Sequence, residues 1–504
     1  MTTRELDADV VIVGAGPVGL MLAVELRLSR ARVVVVDQPA VPRPESRAVQ
    51  LNTRTAEILH ARWMDDLLDE AEPEPEAHFG GLTLDLATLD SPYAGNWKVP
   101  RYRIEAALAR RARDLGAVLL RSYRVHDLTE TSQEIHCGVE GPAGRRTLRA
   151  EYVVGCDGDD SDVRRLGGFA FPATAATKEI LCADVTGLRI RDRRFERRER
   201  GLAVAATHRD VTRVMVHALG RPPVRRDRPP AFAEIAGVWA RVTGEDIFGA
   251  HPIWTGAFSD VRGQATQYRR GRILLAGGAA HRHPPIGGQS INVGLQDAVN
   301  LGWRLAGHVR GWAGTGLLDG YHAERHPVGA RVLQAGAAQE TLLLGGPEVT
   351  PLRTVLAELL IHEPVRAHLA GLAGGLDVRY GAGRHPLVGR RMPAVGLRTA
   401  SGTVSTARTG ADGRGLLLTL PGSPIGLAET DALASAWASR LHVVHAARPP
   451  EASALDGLHT VLLRPDGHVA WVNGEATGLA DALRRWFGTP SPARPRQLQK
   501  GRSS

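Results

Sequence analysis

The fold of this 504-residue chain is decided near its start, by residues 10–37, VVIVGAGPVGLMLAVELRLSRARVVVVD. The apolar run Val10–Val13 is typical of a buried strand and leads directly into the turn Gly14-Ala15-Gly16-Pro17-Val18-Gly19. The pattern then becomes helical over Leu20–Leu28, with Glu25 on the polar side of the helix. A strand, a glycine turn and a helix therefore follow one another in the order that a βαβ unit requires.

The glycines and a later acidic residue indicate what this turn binds. Gly14 allows the tight turn, Gly16 lets the backbone approach a pyrophosphate, and Gly19 lets the helix pack closely on the strand. Asp37 follows the second strand, Arg32–Val36, where a carboxylate can accept hydrogen bonds from a ribose. We therefore predict an adenine dinucleotide site, with a glycine-rich turn in a cofactor-free α/β protein as the alternative. The motif leaves NAD and FAD equally open.

The composition limits the class of protein. The chain is 43% apolar and 23% charged, with 57 Gly and 31 Pro, as expected for a soluble globular protein of roughly two to four domains. The formal net charge is +9, yet only three of the 63 basic residues are Lys. We attribute the Arg excess to a GC-rich genome, and the charged run 189–200 to a solvated face. No nucleic-acid partner is predicted, because no aromatic platform accompanies these charges.

The cysteines and the amino terminus indicate the compartment. Cys137, Cys156 and Cys182 are widely spaced and form neither a zinc pattern nor a disulfide framework. The long apolar run near the start is interrupted by glycines and is preceded by Asp7 and Asp9, where an export signal would carry basic residues. We therefore predict a cytoplasmic protein with no membrane partner and no metal site.

Two later segments have the same strand-and-glycine character. The apolar run Glu151–Cys156 predicts a buried strand that ends in Asp157-Gly158. The segment Gly271–Gly307 reads GRILLAGGAAHRHPPIGGQSINVGLQDAVNLGWRLAG, which predicts a buried strand, a Gly/Pro loop and a helix. These segments and the first motif form three separated blocks.

The three blocks together resemble those of the single-component FAD-dependent aromatic hydroxylases of the p-hydroxybenzoate hydroxylase type, specifically the branch that acts on polycyclic aromatic polyketides. Further similar segments are spread over almost the whole chain, among them Arg47-Ala48, Val99-Pro100-Arg101, Phe248–His251 and Gly320–Ala330. The resemblance implies an α/β fold with a Rossmann-like FAD-binding domain, a β-sheet substrate domain and a C-terminal thioredoxin-like domain.

The resemblance also implies domain boundaries. Residues 1–173 with 268–385 would form the FAD-binding domain, and 174–267 with about 79–97 the substrate-binding sheet domain. Residues 386–488 would form the thioredoxin-like domain and 489–504, rich in Pro, Arg and Ser, a disordered tail. No Cys lies beyond Cys182, so dithiol chemistry is excluded there. The expected role of that domain is packing or the contact of a homodimer.

The activity implied by the resemblance is that of an FAD-dependent, NAD(P)H-consuming monooxygenase. Such enzymes take hydride from transiently bound NADPH or NADH, and their reduced flavin reacts with molecular oxygen to a C4a-hydroperoxide that oxidises a phenolic ring. We expect hydroxylation of a polycyclic aromatic polyketide in antibiotic biosynthesis. Baeyer-Villiger oxidation or oxidative rearrangement of a polyketide skeleton is one alternative. A flavin-poor, non-catalytic homologue that binds a polyketide or a partner protein is another.

The flavin carries the chemistry, so no catalytic residue is assigned. By resemblance, Ser290-Ile291-Asn292 lies against the flavin at a helix start, where backbone amides stabilise a negative charge. Pro285 shapes the preceding loop and is, with His283, a candidate pocket residue, whereas His281 is expected to be a structural hydrogen-bonding residue. The full set of predicted cofactor-binding residues is Gly14, Ala15, Gly16, Pro17, Val18, Gly19, Asp37, Arg47, Arg101, Asp157, Gly158, Gly278, Pro285, Gly287, Gly288, Ser290, Ile291 and Asn292.

Three of these residues depart from the family pattern. Gly278 replaces the Asp expected to hold the ribityl chain, Arg101 replaces a Gln, and Ser290 replaces a Gly whose backbone would approach the flavin. A lost charge-assisted hydrogen bond costs roughly 1.5 to 3 kcal/mol, about tenfold to a hundredfold in FAD affinity. We therefore expect weak FAD binding that the Gly278→Asp variant tightens. Neutral drift with local compensation and a differently held flavin both stay open as explanations.

Overall fold

The computed structural model describes residues 6–41, 48–69, 71–284, 286–314, 316–381, 383–423, 425–449, 451 and 453–490. The strands in these ranges are β1 (Ala8–Val13), β2 (Val33–Asp37), β3 (Ala48–Leu51), β4 (Pro73–Glu74), β5 (Glu76–Phe79), β6 (Leu82–Asp85), β7 (Asn96–Pro100), β8 (Val118–Arg121), β9 (Arg124–Glu130), β10 (Ile135–Gly141), β11 (Gly144–Gly155), β12 (Glu179–Thr186), β13 (Arg193–Arg198), β14 (Gly201–His208), β15 (Val211–Ala218), β16 (His251–Ser259), β17 (Gly263–Gln264), β18 (Arg269–Arg270), β19 (Ile273–Leu275), β20 (His281–Arg282), β21 (Gly396–Thr399), β22 (Gly402–Ser405), β23 (Gly415–Thr419), β24 (Leu441–His445), β25 (Thr460–Leu463) and β26 (Val469–Val472). The α-helices are α1 (Pro17–Leu28), α2 (Thr53–Ala61), α3 (Arg101–Asp114), α4 (Asp162–Leu166), α5 (Phe232–Thr243), α6 (Ser290–Val309), α7 (Gly320–Leu344), α8 (Thr350–Leu359), α9 (Glu363–Gly374), α10 (Leu427–Ala434) and α11 (Leu479–Phe487).

The largest sheet has a parallel core in which β19, β11, β1, β2 and β8 are neighbours in that order. The chain runs from β1 outward to β2 and β8, then returns to add β11 and β19 on the other side of β1. Strand order therefore reverses between β1 and β11. In open parallel sheets a ligand binds beyond the carboxyl ends of the strands at this switch point, where the glycine turn after β1 and the Asp157-Gly158 segment after β11 meet.

Helix α1 differs from the sequence prediction in its start and in its polar side. It begins at Pro17, where the missing N–H of proline costs no hydrogen bond, and Glu25 is buried rather than solvated. The Arg62 guanidinium, just after α2, donates to the Glu25 carboxylate at 2.6 and 3.0 Å and to the Pro465 carbonyl at 3.1 Å. This ion pair explains how a charged residue can face the core.

A second layer is a five-stranded antiparallel sheet in the order β13-β14-β15-β12-β16. Helix α5 covers one face and buries Trp239 against it. The prediction of a solvated face for residues 189–200 is wrong at Arg193, whose side chain is fully buried and pairs with Glu245. The Arg193 guanidinium also lies over the Trp239 ring, at 5.6 Å from its centre.

The C-terminal sheet has the order β24-β23-β25-β26, with β23 and β24 parallel and the other pairs antiparallel. Helix α10 connects the parallel pair and α11 follows the hairpin, which is the thioredoxin-like arrangement. The predicted mixed α/β fold class is thus confirmed, whereas the domain boundaries stay predictions. Residues 491–504 of the predicted tail lie outside the described residues. Within the described ranges, no helix is both long and apolar enough to cross a membrane.

A buried ion network joins the C-terminal sheet to helices α6 and α7. The Glu324 carboxylate of α7 accepts hydrogen bonds from both terminal nitrogens of Arg464, at 2.8 and 3.0 Å, and lies 2.7 Å from a nitrogen of Arg304 of α6. Arg464 also pairs with Asp466. Two carboxylates and two guanidinium groups balance one another here, so the interface carries no net charge from these four groups.

Candidate functional site

The turn after β1 has no room for side chains at two of its glycines. Gly14 has a φ of +105°, and a Cβ added to it would lie 2.4 Å from the carbonyl oxygen of Cys156. A Cβ on Gly19 would lie 2.0 Å from the carbonyl oxygen of Gly14. The turn is thus pressed against the end of β11 on one side and against α1 on the other.

Gly16 has a different environment, because the space that its side chain would occupy is open. A Cβ added there would meet only Nη2 of Arg101, at 3.6 Å. Arg101 is the first residue of α3, and its Nε donates to Glu105 at 2.7 Å while the side chain stays 54% exposed. The residue that replaces the expected Gln therefore places a guanidinium beside a backbone that can approach a pyrophosphate.

Asp37 lies at the end of β2, beside the same turn. Its carboxylate accepts hydrogen bonds from the backbone N–H of Ala15 at 3.0 Å and from Nη1 of Arg121 at 2.6 Å. Each carboxylate oxygen has a further lone pair. Asp37 thus fixes the turn and keeps acceptor capacity for a ribose.

Two residues in the segment after β11 have different roles. The Asp157 carboxylate accepts from the Ser161 hydroxyl at 2.5 Å and from the Val163 N–H at 3.1 Å, at the start of α4. It therefore holds the local backbone at the start of α4. Gly158 has a φ of +83°, and nothing lies within 4 Å of the position of a Cβ, so its backbone is accessible to a ligand.

An acidic side chain from another segment lies beside position 278. A Cβ on Gly278 would lie 2.9 Å from Oδ1 of Asp159 and 3.1 Å from the backbone of Gly158. Asp159 is half-exposed and lies 3.6 Å from Nε of Arg282. Its carboxylate thus occupies the space that a residue 278 side chain would enter. In Gly278→Asp the new acid would meet an existing one, which argues against the expected tightening of FAD binding by this change alone.

The third block contacts the first through small residues. A Cβ on Gly277 or Gly294 would lie 2.9 or 2.6 Å from Cγ2 of Val18, in the glycine turn. The loop before α6 contains Gly287 and Gly288 with φ values of +83° and +65°. Of the remaining predicted site residues, Arg47 and Pro285 lie outside the described residues.

Helix α6 presents its amino-terminal end at this loop. Among the described residues no side chain caps it, so the first backbone N–H groups are available to a negatively charged ligand. Ser290 is exposed, Ile291 is half-buried and Asn292 is buried. Asn292 accepts from the Asn52 backbone at 2.9 Å and donates to the carbonyls of Gln50 and Gly288. Its side chain therefore fixes the loop, and only its backbone can face a cofactor.

A buried hydrogen-bond chain ends at the same loop. Nε2 of His281 lies 2.6 Å from Oδ2 of Asp297, and Nδ1 of His281 lies 2.8 Å from Nε2 of His283. The other oxygen of Asp297 accepts from Nε of Arg325 at 2.7 Å. Although burial favours the neutral acid, the charge of Arg325 holds the pKa of Asp297 below its ordinary value. Within the described ranges, no group of three or more metal-ligating side chains is present.

These surfaces fit an extended dinucleotide that carries a flavin. The backbone is open at Gly16, in the turn after β1, and at Gly158, after β11, where side chains would obstruct a ligand, and Arg101 brings a positive charge to the open side of Gly16. The uncapped start of α6 faces the loop at the other end of the cleft. The fold and the cleft together define an FAD-binding protein.

Comparison with known families specifies the class. Residues 7–336 match the model of an FAD binding domain, and residues 385–490 match that of the C-terminal part of aromatic-ring hydroxylases. The chain belongs to this family of FAD-dependent aromatic-ring hydroxylases and is a flavoprotein monooxygenase. The predictions of family, fold class and enzyme type are confirmed.

Individual relatives match over nearly the whole chain. A 12-dehydrotetracycline 5-monooxygenase/anhydrotetracycline 6-monooxygenase of Streptomyces rimosus is 39% identical over 96% of this chain and 99% of its own. A dialkyldecalin synthase of Streptomyces rugosporus is 37% identical over 95% and 98%. The crystal structure of CabE, an aromatic hydroxylase from angucycline biosynthesis, superposes with a TM-score of 0.91 at 43% identity, over 96% of this chain and 100% of that one.

Sequence reasoning missed several residues of the site. Asp159 has no local signal, because its meaning depends on Gly278, which lies far along the chain. Asp297 and Arg325 lie on the buried faces of α6 and α7, where charged residues are rarely left without a partner. Asp297 and Arg325 stand at helix positions that the apolar periodicity assigns to the core. An acid and a base at such positions were the one sequence signal that could have revealed this pair.

Proposed function

We propose that this monooxygenase hydroxylates a polycyclic aromatic polyketide with FAD as the bound cofactor, NADPH or NADH as the reductant and molecular oxygen as the oxidant. The single observation that carries the proposal is a cleft bounded by the loop before α6 and by β5, α7 and α9. The cleft is partly open to solvent. Two of the relatives named above support the choice of substrate class, since their printed substrates or pathway are tetracyclines and angucyclines.

The lining of this cleft suits a flat polyphenol. Phe79, Ile286 and Leu372 supply apolar surface, while His283 and Gln339 supply polar groups. A mostly apolar pocket with a few fixed polar groups orients an aromatic ligand by packing and by hydrogen bonds to its oxygen atoms.

When bound, FAD supplies the activation of oxygen. The chain's own residues hold the cofactor and exclude water. In our assignment Gly16 and Arg101 receive the pyrophosphate, and Asp37 receives the ribose. The N–H groups at the start of α6 stabilise negative charge on the flavin ring without introducing a titratable group.

We assign to Asp159 the role of the carboxylate that holds the ribityl chain. The Asp159→Asn variant should bind FAD about tenfold to a hundredfold more weakly, because a charge-assisted hydrogen bond is lost, worth roughly 1.5 to 3 kcal/mol. Fluorescence titration of the apoprotein with FAD measures the dissociation constant.

A double variant tests whether position 278 can take over this role. Gly278→Asp alone should weaken FAD binding, since two carboxylates then occupy one space. Gly278→Asp combined with Asp159→Gly should restore affinity to near that of the unaltered chain. Equal dissociation constants for the original protein and Asp159→Asn would contradict the assignment, whereas Asp160→Asn, next in the chain and exposed, serves as the control.

The activity itself is tested by supplying FAD, NADPH or NADH and a tetracyclic phenol such as an anhydrotetracycline. We expect reductant oxidation that rises with the aromatic compound, and a product that contains one atom from isotopically labelled dioxygen. Mass spectrometry detects the label, and NMR distinguishes ring hydroxylation from Baeyer-Villiger insertion or rearrangement. Reductant oxidation that yields only hydrogen peroxide with every tetracyclic and angucyclic phenol would contradict the proposal.

A second function is favoured by one comparison. The dialkyldecalin synthase relative is similar over nearly the full chain, and its printed name describes the formation of a carbon skeleton rather than oxygen insertion. The same cleft would then bind a polyketide. FAD would be a structural element in this function, or the function would not use FAD. A product isomeric with its substrate, formed without reductant, would support this function over hydroxylation.

The cytoplasmic location and a homodimeric assembly are also proposals. They rest on the absence of paired cysteine motifs in the sequence and on the expected packing role of the C-terminal domain. Sedimentation of the purified FAD-loaded protein tests the assembly.

A further inference from the structure

Helix α7 forms one wall of the cleft with a row of mostly small side chains. Val332, Ala335 and Gly336 line the cleft, and Gln339 lines it one turn further along the helix. These positions are spaced as i, i+3, i+4 and i+7, so they lie on one face of α7. The row is about 10 Å long at a rise of about 1.5 Å per residue, which is comparable with the long axis of several fused aromatic rings.

Gly336 leaves a space in this wall that the folded chain does not fill. A Cβ added to Gly336 would have nothing within 4 Å, so no neighbouring group requires a glycine there. Glycine in the interior of a helix also costs stability relative to alanine. The fold therefore gains nothing from this glycine, whereas a ligand in the cleft gains the volume of a side chain.

Gln339 adds an unpaired donor beside this space. Its side chain is buried, and the whole residue is only 6% exposed. Its Oε1 accepts from the Gly80 N–H at 3.4 Å, which orients the amide and leaves Nε2 as the free end. No described residue accepts a hydrogen bond from Nε2. Because buried polar groups are rarely left without a partner, this donor is suited to an oxygen atom of a ligand.

The loop before α6 lies against the same amide. A Cβ on Gly287 would lie 2.9 Å from Nε2 of Gln339, so the glycine is what lets the loop approach. The start of α6, which follows this loop, is the place assigned to the flavin ring. Gln339 is thus the member of the row that contacts this loop, and Gly336 lies one helical turn away from it.

We propose that Gly336 and Gln339 determine which polycyclic phenols the cleft accepts. One fused ring of the substrate packs between Gly336 of α7 and Leu372 of α9, which lines the same cleft. Nε2 of Gln339 donates a hydrogen bond to a carbonyl oxygen of the ring system. This inference rests on the proposed function, because it requires an aromatic ligand in the cleft.

The chemistry of the amide selects the kind of oxygen. The NH2 group of glutamine only donates hydrogen bonds, so it matches an oxygen that only accepts, and a ring carbonyl is such an oxygen. The inference therefore narrows the substrate class to phenols that have three or more fused rings and also carry a keto group.

Two phenols that differ only in their carbonyl groups test the donor. 1-Hydroxyanthraquinone and 1-hydroxyanthracene have the same three rings and the same hydroxyl group. Equilibrium dialysis with the FAD-loaded protein, without reductant, measures both dissociation constants. We expect Gln339→Met, which keeps the length of the side chain, to weaken binding of the quinone about tenfold. Binding of 1-hydroxyanthracene should be nearly unchanged. Gln133→Met makes the same substitution at an exposed position and should affect neither ligand.

A series of ring sizes tests the space at Gly336. 1-Naphthol has two rings, and 6-hydroxytetracene-5,12-dione has four. Gly336→Leu should weaken binding of the four-ring phenol by about tenfold or more, because the new side chain fills the space of a ring, and should leave 1-naphthol nearly unchanged. Gly237→Leu is the control, since this glycine of α5 is exposed and equally open. If Gly336→Leu does not fold, Gly336→Ala, which favours the helix, should show a smaller loss with the same selectivity.

Several outcomes would overturn the inference. Equal losses for the quinone and for 1-hydroxyanthracene in Gln339→Met would show that the amide only shapes the cleft. Equal effects of Gly336→Leu on the two-ring and four-ring phenols would remove the role of Gly336. An unaltered protein that binds the quinone no more tightly than 1-hydroxyanthracene, or binds neither, would contradict the hydrogen bond.

The same measurements separate this inference from the proposed function. Labelled oxygen in the product, together with unchanged dissociation constants in both variants, would support the hydroxylation and overturn the role of Gly336 and Gln339. Binding that depends on the carbonyl group and on ring number, without any oxygen transfer, would support their role and contradict the hydroxylation.

Discussion

The Gly19→Ala variant is expected to lose the fold of the amino-terminal sheet, whereas Gly16→Ala is expected to fold normally and to lose FAD. The reason is the direction in which each missing side chain would point. The Cβ on residue 19 would lie 2.0 Å from a backbone oxygen, an overlap that costs about 3 kcal/mol or more. The Cβ on residue 16 meets only a flexible guanidinium, at the ordinary distance of 3.6 Å.

Two measurements separate these effects. Thermal unfolding followed by circular dichroism should show a much lower midpoint for Gly19→Ala and an unchanged one for Gly16→Ala in the absence of FAD. The FAD dissociation constant of Gly16→Ala should rise about a hundredfold, since the methyl group occupies space that the pyrophosphate needs. Gly237→Ala is the control, because it lies in α5 with nothing within 4 Å of the added carbon. Tight FAD binding by Gly16→Ala would contradict the assignment of this turn.

Replacing Glu324 by glutamine should destabilise the protein by about 3 to 5 kcal/mol, because two buried guanidinium groups lose their shared partner. The side chains of Arg304 and Arg464 are each 1% exposed, so water cannot replace the lost charge. Chemical denaturation of Glu324→Gln measures the change. Glu358→Gln makes the same substitution on the exposed face of α8 and should leave stability unaltered.

The same network predicts a dependence on pH. Burial alone would raise the pKa of Glu324, but the charges of Arg464 and Arg304 lower it from 4.5 to about 2. Because the folded chain holds this proton less tightly than the unfolded chain, the stabilisation is complete above pH 4.5 and is lost as the pH falls from 4.5 toward about 2. The difference in unfolding free energy between the original protein and Glu324→Gln should shrink over that range. A difference that is constant with pH would contradict an ionised Glu324.

Local sequence patterns predicted the parts of the fold that depend on neighbours along the chain. The glycine turn, the strand before Asp157 and the strand-loop-helix succession over 271–307 are all present, because each is determined by the spacing of apolar residues and glycines. The side of α1 that carries Glu25 was predicted wrongly. Helical periodicity reports the residue's own polarity, and it contains no information about Arg62, which lies 37 positions away.

The same limit applies to the candidate site. The missing acid at Gly278 was visible from the family resemblance, but the position of Asp159 beside it depends on two segments that fold together. His283 was identified as a candidate pocket residue from its place in the loop. Its connection through His281 to Asp297 could not be foreseen, since the direction of a hydrogen bond is determined by the packing of β20 against α6 and not by spacing alone.

The hydrogen bonds between Asn52 and Asn292 and between Asn292 and Gln50 connect positions 240 and 242 residues apart. A chain emerging from the ribosome therefore has its glycine turn long before it has the residue that closes the opposite wall of the cleft. On our assignment of the flavin site, more than half of the chain is synthesised between the glycine turn and α6, so the complete site forms only after α6 has been made.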